Sequence, residues 1–531
     1  MNFKLKSLIL YSKNNTQHFH IGDSAEKKAI DTSIKKKIST SLDDNKKYLK
    51  KLYNMPLNGD IVFRDISFYC GKNKVKGLIV SVDGLSDSES INECILKPLM
   101  RRKPDSSPYT AEQIYTSLIP QGQITLTDDI NDMAHKINIG NAILFFDGLD
   151  TGMIADVKSW EHRGVDSPSN EAVIQGPHEG FNEVLRTNTA LIRKSINSHN
   201  LIMENVSLGK TSKTPGALVY MANVANTTLV NEVKFRLKNI DAEYILSVLD
   251  VEKYTEEASF LPIPQMLTTE RPDRVCKSVL EGKIALVMNG SSHVLVMPAT
   301  VFDLASSVED SYLRFPYSML ISFIRLAAIF TAALAPAVFV AICEYHRELI
   351  LTPLLLAIQS SRVSVPFSII SELLLMEVVF ELIKEAGVRM PGAIGSTLGI
   401  VGGLILGQSA VEANIVSPIM IIIVAVTGLA EFAIPSYTLS FSFRFSRFIY
   451  IFGAAAGGFF GLSMLLFINT LMYVCTLSFG VGAVSPLAPA SGTSLASKLF
   501  TPPLWRQNYR PSEAKPTDKA DKAFISRKWI K

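Results

Sequence analysis

The segment Met390–Pro418 reads MPGAIGSTLGIVGGLILGQSAVEANIVSP. It is apolar enough to cross a bilayer and is threaded by glycine. Gly395, Gly399, Gly403 and Gly407 recur at every fourth position, and in a helix they share one slowly drifting face within about 120° of arc. In lipid, small residues at that spacing let backbones approach closely, so the segment is expected to pack against other helices. Thr397, Val401, Gln408 and Glu412 gather within about 60° on the other side, and Leu404 and Ile405 border them. Polar side chains in a membrane segment are costly, which makes Gln408 and Glu412 functional candidates. Two readings stay open. Facing an axis, this side would show polar groups at Thr397, an apolar collar at Val401 with Leu404 or Ile405, and polar groups again at Gln408 and Glu412. Otherwise, Gln408 and Glu412 bond within a helix bundle and no pore exists.

The rest of the chain changes character around this segment. The 531 residues carry a net charge of only +4, and no nucleic-acid partner is expected from that balance. Up to about Phe315 charged and apolar runs alternate as in a soluble protein. From Tyr317 to about Leu487 charges are sparse, and beyond Phe500 the chain is polar and basic again. The expected organisation is a weakly ordered basic leader (1–57) with one helix at Thr32–Leu52, two soluble α/β lobes (58–160 and 161–315), a transmembrane helical domain (316–490) and a basic cytoplasmic tail (491–531). Cys70, Cys94, Cys276, Cys343 and Cys475 are scattered without CxxC spacing, so neither a disulfide framework nor a zinc site is expected.

In the soluble part, strands are predicted at Asp60–Cys70, Lys76–Leu85 and Asn141–Leu149, and helices at Ser88–Met100, Ala111–Leu118 and Asp128–Ile137. Two apolar strands end alike, in Asp83-Gly84-Leu85 and Asp147-Gly148-Leu149. The aspartates either serve as ligands or acids, or simply close hairpins. An irregular connector, Arg163–Phe181, leads to a helix at Asn182–Ser198. Strands at Leu201–Leu208 and Gly216–Ala225, helices at Thr227–Ile240 and Pro272–Glu281, and strands at Ile284–Asn289 and His293–Pro298 complete the second lobe. The alternation favours mixed α/β sheets covered by helices.

Neither of two possible chemical motifs survives inspection. Ser207–Thr214 contains GKT, but Glu204 stands where a phosphate loop needs its first glycine. His162, His178 and His293 lack metal-ligand or triad spacing. No enzyme activity, cofactor or metal is expected.

In the membrane part, spans are predicted at Met319–Cys343, Gly392–Glu412, Ile415–Ile434 and Phe448–Leu477. The stretch 349–386 is predicted to be interfacial or re-entrant, because Glu372, Glu377, Glu381, Lys384 and Glu385 are too many charges for a lipid-facing span. Glu377, Glu381 and Glu385 either form an acidic vestibule or pair internally with Lys384 and Arg389. An even number of crossings, four or six, would return the tail to the side of the lobes, and its lysines and arginines suit a cytoplasmic end.

Two long blocks carry a family resemblance: RGVDSPSNEAVIQGPHEGFNEVLRTNTALIRK, and PFSIISELLLMEVVFELIKEAGVRM continuing into the opening segment. Gln175–Phe181, Glu372, Glu377, Glu381, Lys384–Gly387, Arg389, Pro391, Ile400–Gly402, Gly407, Ala410–Glu412 and Ser417–Pro418 resemble the A-subunit family of GerA-type spore germination receptors. The resemblance implies a nutrient-receptor subunit in the inner membrane of a bacterial endospore, with its soluble part and tail on the core side. It implies a transporter-like B subunit and a lipoprotein C subunit as partners, and a ring of A subunits, pentameric in expectation, forming a nutrient-gated cation channel. His178 and Gly392 depart from the family pattern. The alternative implied is a non-conducting scaffold that couples the sensor to downstream release.

Overall fold

The computed structural model describes residues 19–22, 24, 35–70, 72–101, 119–158, 168, 171, 173–389, 403, 405–490, 502–503 and 507–520. Lobe 1 contains α1 (Leu42–Leu52), β1 (Ile61–Cys70), β2 (Asn73–Val82), β3 (Ile124–Thr127), α2 (Ile130–Asn138), β4 (Ala142–Phe146) and β5 (Gly152–Ala155). Its antiparallel sheet has the order β1-β2-β4-β5-β3. Strand alternation divides the core between two faces. Leu78, Val80, Ile143 and Phe145 meet α1 and α2, whereas Ile79, Leu144 and Phe146 meet the helical stretch after β2. Every residue of β4 is therefore buried.

Lobe 2 contains α3 (Leu185–Ser195), β6 (Leu201–Leu208), β7 (Thr214–Met221), α4 (Thr227–Lys238), α5 (Val248–Thr255), β8 (Leu267–Thr269), α6 (Pro272–Leu280), β9 (Ile284–Met288) and β10 (Val294–Met297). Its order is β6-β7-β9-β10-β8, the topology of lobe 1 repeated strand for strand. Gly77 of β2 pairs with Phe146 at the end of β4, and Gly216 of β7 pairs with Met288 at the end of β9. A Cβ at Gly77 would lie 2.9 Å from the Phe146 ring, and one at Gly216 3.0 Å from the Val287 carbonyl oxygen. Both glycines permit the same close strand approach.

A buried polar knot joins the lobes. Arg193 of α3 is fully enclosed, and its Nε and Nη2 lie 2.6 and 3.0 Å from the two Asp60 oxygens. Nη2 also donates to the Leu201 carbonyl, and Asn58 Nδ2 donates to the same oxygen. Gly59 N–H donates to Met203 O. Arg193 Nη2 donates to Asn58, Asp60 and Leu201 together, and a charge-assisted contact this buried holds the lobes in one relative orientation.

The structure alters several expectations from sequence. α1 belongs to lobe 1, not to a loose leader, because Leu49, Leu52 and Tyr53 are buried in its core. Asp147–Leu149 does turn β4 back into β5, but Asp83-Gly84 closes no hairpin. It carries β2 into the helical stretch from Ser88, and Asp83 pairs with Arg186. β3, β5 and β8 have no counterpart in the strands predicted. They are three or four residues long and, unlike the equally short β10 (VLVM), none is an unbroken run of large apolar residues. The predicted helix at Ala111–Leu118 lies outside the described residues.

The helical region comprises α7 (Phe315–Tyr345), α8 (Thr352–Arg362), α9 (Ile369–Arg389), a helical stretch at 405–412, α10 (Pro418–Phe432) and α11 (Tyr437–Cys475). α7 and α11 are long and apolar enough to cross a membrane. The span predicted at Phe448–Leu477 is not one straight helix. Gly457 and Gly458 leave helical geometry, Gly458 at φ +57°, and the two halves of α11 fold into an antiparallel hairpin. Ser442 Oγ and Tyr473 OH are 2.6 Å apart, Asn469 Nδ2 donates to Ser446 Oγ at 3.1 Å, and Gly461 lies against the Gly453 carbonyl. Glycine at both contact points permits that approach.

Lobe 2 grips this region at both ends of its sequence. Asp310 accepts from both Arg325 Nη atoms at 2.6 and 3.0 Å, and Ile329 and Ala332 enter the lobe 2 core with Leu439. After α11, a two-stranded hairpin (Leu477–Ser478 with Val481–Gly482) sets Phe479 and Val481 into the opposite core face of the same sheet. Part of the expected free tail is docked there as well. Asn226 Nδ2 donates to Lys515 O, and Thr517 N–H donates to Val224 O.

Replacing Arg193 by Met leaves Asp60 buried without its cation. The expected loss is about 3–5 kcal/mol, seen as a lower thermal midpoint of the detergent-solubilised chain and as faster proteolysis between the lobes. A second expectation concerns Glu252, whose carboxyl burial, and then the neighbouring Glu256, push up to about 7. The folded state then holds a proton that the unfolded chain loses between pH 4.5 and 7. Ionised Glu252 thus opposes folding above pH 7 and is neutral in effect near pH 4. Glu252→Gln should raise stability by on the order of 1 kcal/mol at pH 8 and leave it unchanged at pH 4, measured as thermal midpoints at the two pH values.

Candidate functional site

Contacts between helices set their directions. α7 leaves lobe 2 and ends at the hairpin tip of α11, where Tyr345 OH donates to Ala455 O and His346 stacks on Phe459 at 5.0 Å. α9 begins at that distant end and runs back beside α10, since Glu372 meets Ser417, Phe380 covers Gly428 and Lys384 meets Glu431. The 405–412 stretch runs opposite to α10, with Gly407 against Ile421.

Within this bundle, six charged side chains meet. Arg447 Nη2 lies 3.2 Å from Glu381 and 3.5 Å from Glu431, and its Nε lies 3.4 Å from Glu377. Arg444 reaches Glu381 at 2.9 Å and Glu431 at 2.7 Å, and Lys384 reaches Glu431 at 2.5 Å. Three carboxylates face three cations, so the cluster is neutral. Glu377 and Arg447 are almost wholly enclosed. At such burial only mutual neutralisation keeps ionised groups tolerable. α9 contributes Glu377, Glu381 and Lys384, α10 contributes Glu431, and α11 contributes both arginines. The cluster therefore fastens three helices at one level.

Glu372 has a separate role. Its Oε1 accepts from Ser417 N–H at 2.6 Å and from Ser417 Oγ–H at 2.5 Å, and its Oε2 faces Arg362 Nε at 3.3 Å. A carboxylate at the first turn of α10 complements the exposed N–H groups there. Glu385 is exposed on α9.

On 405–412 the faces are distinct. Gly407 is buried, while Ile405, Gln408 and Glu412 are exposed. Gln408 Nε2 donates to Glu412 Oε1 at 3.0 Å. Among the described residues, none comes within contact of the Cβ position of Gly403. Gly395, Thr397, Gly399, Val401 and Leu404 lie outside the described residues.

Sequence reasoning missed Arg444, Arg447 and Glu431 as functional candidates. Their signal is ionisable residues inside otherwise apolar helices, Glu431 near the end of α10 and the arginines in the first turns of α11. In lobe 2, the glycine-lysine-threonine motif forms the β6–β7 turn, where Lys210 pairs with Asp241 and Thr211 Oγ1 donates to Glu243. The connector clasps α6. Glu171 accepts from Arg274 at 2.6 Å, Pro177 O accepts from Arg271, and Gly176, at φ +130°, lies on the Tyr312 ring. Its irregular sequence is thus matched to buried arginine partners.

A family model described as Bacillus/Clostridium GerA spore germination protein matches residues 47–513. Spore germination protein KA of Bacillus subtilis (strain 168) is 37% identical over 483 residues, 91% of this chain and 88% of that protein. An uncharacterized membrane protein of the same strain, YfkQ, is 36% identical over 85% of this chain and 87% of its own length. Among solved structures, the N-terminal domain of the A subunit of the Bacillus megaterium spore germinant receptor GerK3 is 26% identical with a TM-score of 0.38, covering 50% of this chain and 96% of that domain.

Charge balance in the cluster is testable. Arg447→Met alone strands Glu377, and Glu377→Gln alone leaves a net positive cluster. Each should cut the yield of folded chain from membranes severalfold, whereas the double variant, neutral again, should recover most of it. Yield and thermal midpoint in mild detergent measure this, and equal losses in all three variants would refute the charge argument.

Proposed function

The chain belongs to the GerA family of Bacillus/Clostridium spore germination proteins, and we propose that it is the A subunit of a germinant receptor whose copies assemble into a nutrient-gated cation channel. The observation that carries this reading is the pair Gln408 and Glu412. Both are exposed on an apolar helix, while the six charges of the α9–α11 cluster are spent on one another inside the bundle. An exposed glutamate amid apolar helices calls for a polar space or a neighbouring chain. Repeated around an axis, it makes an acidic ring that favours cations. Thr397, Val401, Leu404 and Ile405 would line the same passage, with Val401 and its apolar neighbours gating by dewetting.

In this reading the helical region crosses the membrane six times, as α7, α9, 390–412, α10 and the two halves of α11. Support comes from the alternating directions of α7, α9, the 405–412 stretch, α10 and the two halves of α11, and from the return of both 477–482 and 507–520 to lobe 2. The lobes and the tail then share the core side of the spore inner membrane. A transporter-like B subunit supplies nutrient recognition and a lipoprotein C subunit completes the receptor.

The reading predicts that Glu412→Gln lowers cation-over-anion selectivity severalfold in proteoliposomes of the full receptor, read from reversal potentials under a salt gradient. Val401→Ala should add a nutrient-independent leak. Receptor that supports germination yet shows no conductance would replace the channel by a scaffold coupling sensor to release.

A further inference from the structure

On the six-crossing reading, the last helix leaves the membrane beside a group of exposed aromatic side chains on lobe 2. The second half of α11 runs from the Gly458 turn to Cys475, about 26 Å of helix. At the far end, Arg347 and Glu348 stand exposed just past the contact of Tyr345 with Gly458. A hydrocarbon layer about 30 Å thick therefore ends within a few residues of Cys475, at the hairpin Leu477–Gly482. Lobe 2 is fastened to that hairpin. Ser478 Oγ–H donates to Gln265 O, and Ala299 N–H donates to Ser478 Oγ at 3.2 Å.

Gln265 also shapes the loop before it. Its buried Oε1 accepts from Glu257 N–H at 2.7 Å and from Ala258 N–H at 3.4 Å, and Leu261 N–H donates to Ala258 O at 3.0 Å. The result is a tight turn with Ser259 and Phe260 at its corner. Phe260 is 87% exposed, and no phenylalanine or tyrosine among the described residues is more so. The other phenylalanines that are more than half exposed lie on α7, α10 and α11, with Phe235 of α4 as the exception. Phe235 belongs to the same junction. The neighbouring Arg236 donates to Thr255 O at 3.0 Å and to Glu257 at 2.8 Å, and its guanidinium lies 4.4 Å from the centre of the Phe479 ring. Tyr254, next to Thr255, is more than half exposed as well.

We propose that the turn at Ser259–Phe260 inserts its ring into the adjoining leaflet of the bilayer, with Phe235 and Tyr254 at the headgroup level. Aromatic rings are favoured at that depth. Three rings at about 100 Å² each fall well short of the roughly 800 Å² that one partner gives to a stable protein interface. A shallow apolar insertion is nevertheless enough to hold a segment to lipid. The charges agree. Lys238 and Lys253 are exposed at the ends of α4 and α5, where they suit headgroup phosphates. Glu257 is paired with Arg236, and burial holds Glu252 and Glu256 toward their neutral forms. Lobe 2 then meets the membrane at three points, α7, the end of α11 and this turn, which fixes its tilt against the bilayer. The inference rests on the membrane-crossing reading above and adds to it a lipid contact outside the spanning helices.

The test uses the full-length chain in vesicles of phosphatidylglycerol and phosphatidylethanolamine, with the photoreactive residue p-benzoylphenylalanine in place of Phe260 or, separately, of Tyr244. Tyr244 is also well exposed but stands at the opposite end of α5, where Glu243 O accepts from Thr211 N–H of the β6–β7 turn. Mass spectrometry should find phospholipid adducts on the peptide containing position 260 at least tenfold above those on the peptide containing position 244. Phe260→Ser should speed deuterium uptake by the amides of 257–262 severalfold in vesicles and leave β6 and β7 unchanged. Lipid adducts at position 260 no higher than at position 244, or adducts to a polypeptide, overturn the anchor. If the chain in that case still resists extraction by alkaline carbonate, the crossing reading stands without this contact. If carbonate releases the chain, both fall.

Discussion

Arg447 sits among Glu377, Glu381 and Glu431 in the interior of an apolar helix bundle. Ionised groups persist in such a place only when their charges cancel nearby. With Arg444 and Lys384 the sum is zero, and this cancellation constrains the helices that carry the charges. α9 holds too many charged residues to lie against lipid by itself. It can run the length of the bundle because its carboxylates meet arginines that follow some sixty positions later in the chain. The helices cannot rotate or slide independently without breaking the balance, so the cluster sets their register as well as their association.

A second constraint acts between the soluble and helical parts. Lobe 1 and lobe 2 repeat one topology, and the buried Arg193–Asp60 ion pair holds them together as a unit. Lobe 2 in turn holds the beginning of α7 by the Asp310–Arg325 pair and the end of α11 by the Phe479 hairpin. The two attachments enter opposite faces of a single sheet. Lobe 2 thus shares its core with the helical region, and a displacement of the lobes is communicated to the first and last helices directly.

Much of the fold was legible because its signals are local. β1, β2, β4, β6, β7 and β9 have enough residues for branched apolar runs to stand out, and α4 announces itself by the Asn226 cap, whose side chain accepts from Thr228 N–H. β3, β5 and β8, three or four residues long, carry no such pattern, whereas the equally short β10 is an unbroken apolar run and was legible. The equivalence of the lobes was hidden because it resides in strand order and in Gly77 and Gly216, not in matching sequence. The hairpin of α11 was missed for a related reason. Gly453, Gly457, Gly458 and Gly461 read equally well as a packing stripe on a straight helix, and the fold-back shows only in tertiary contacts such as Ser442 with Tyr473 and Ser446 with Asn469.

For the site, the sequence by itself determined the chemistry available: a glycine-rich apolar segment, Gln408 and Glu412 on the side away from Gly403 and Gly407, and a run of carboxylates on α9. It determined the family too, since two motif blocks in order are a one-dimensional property. Only the tertiary structure decided which charges are consumed and which are left exposed. Pairing is a matter of distance, and Arg444 and Arg447 approach Glu377 and Glu381 because α11 packs beside α9, a fact no local window contains. The same packing leaves Gln408 and Glu412 at the surface, while Gly407 is turned inward against α10.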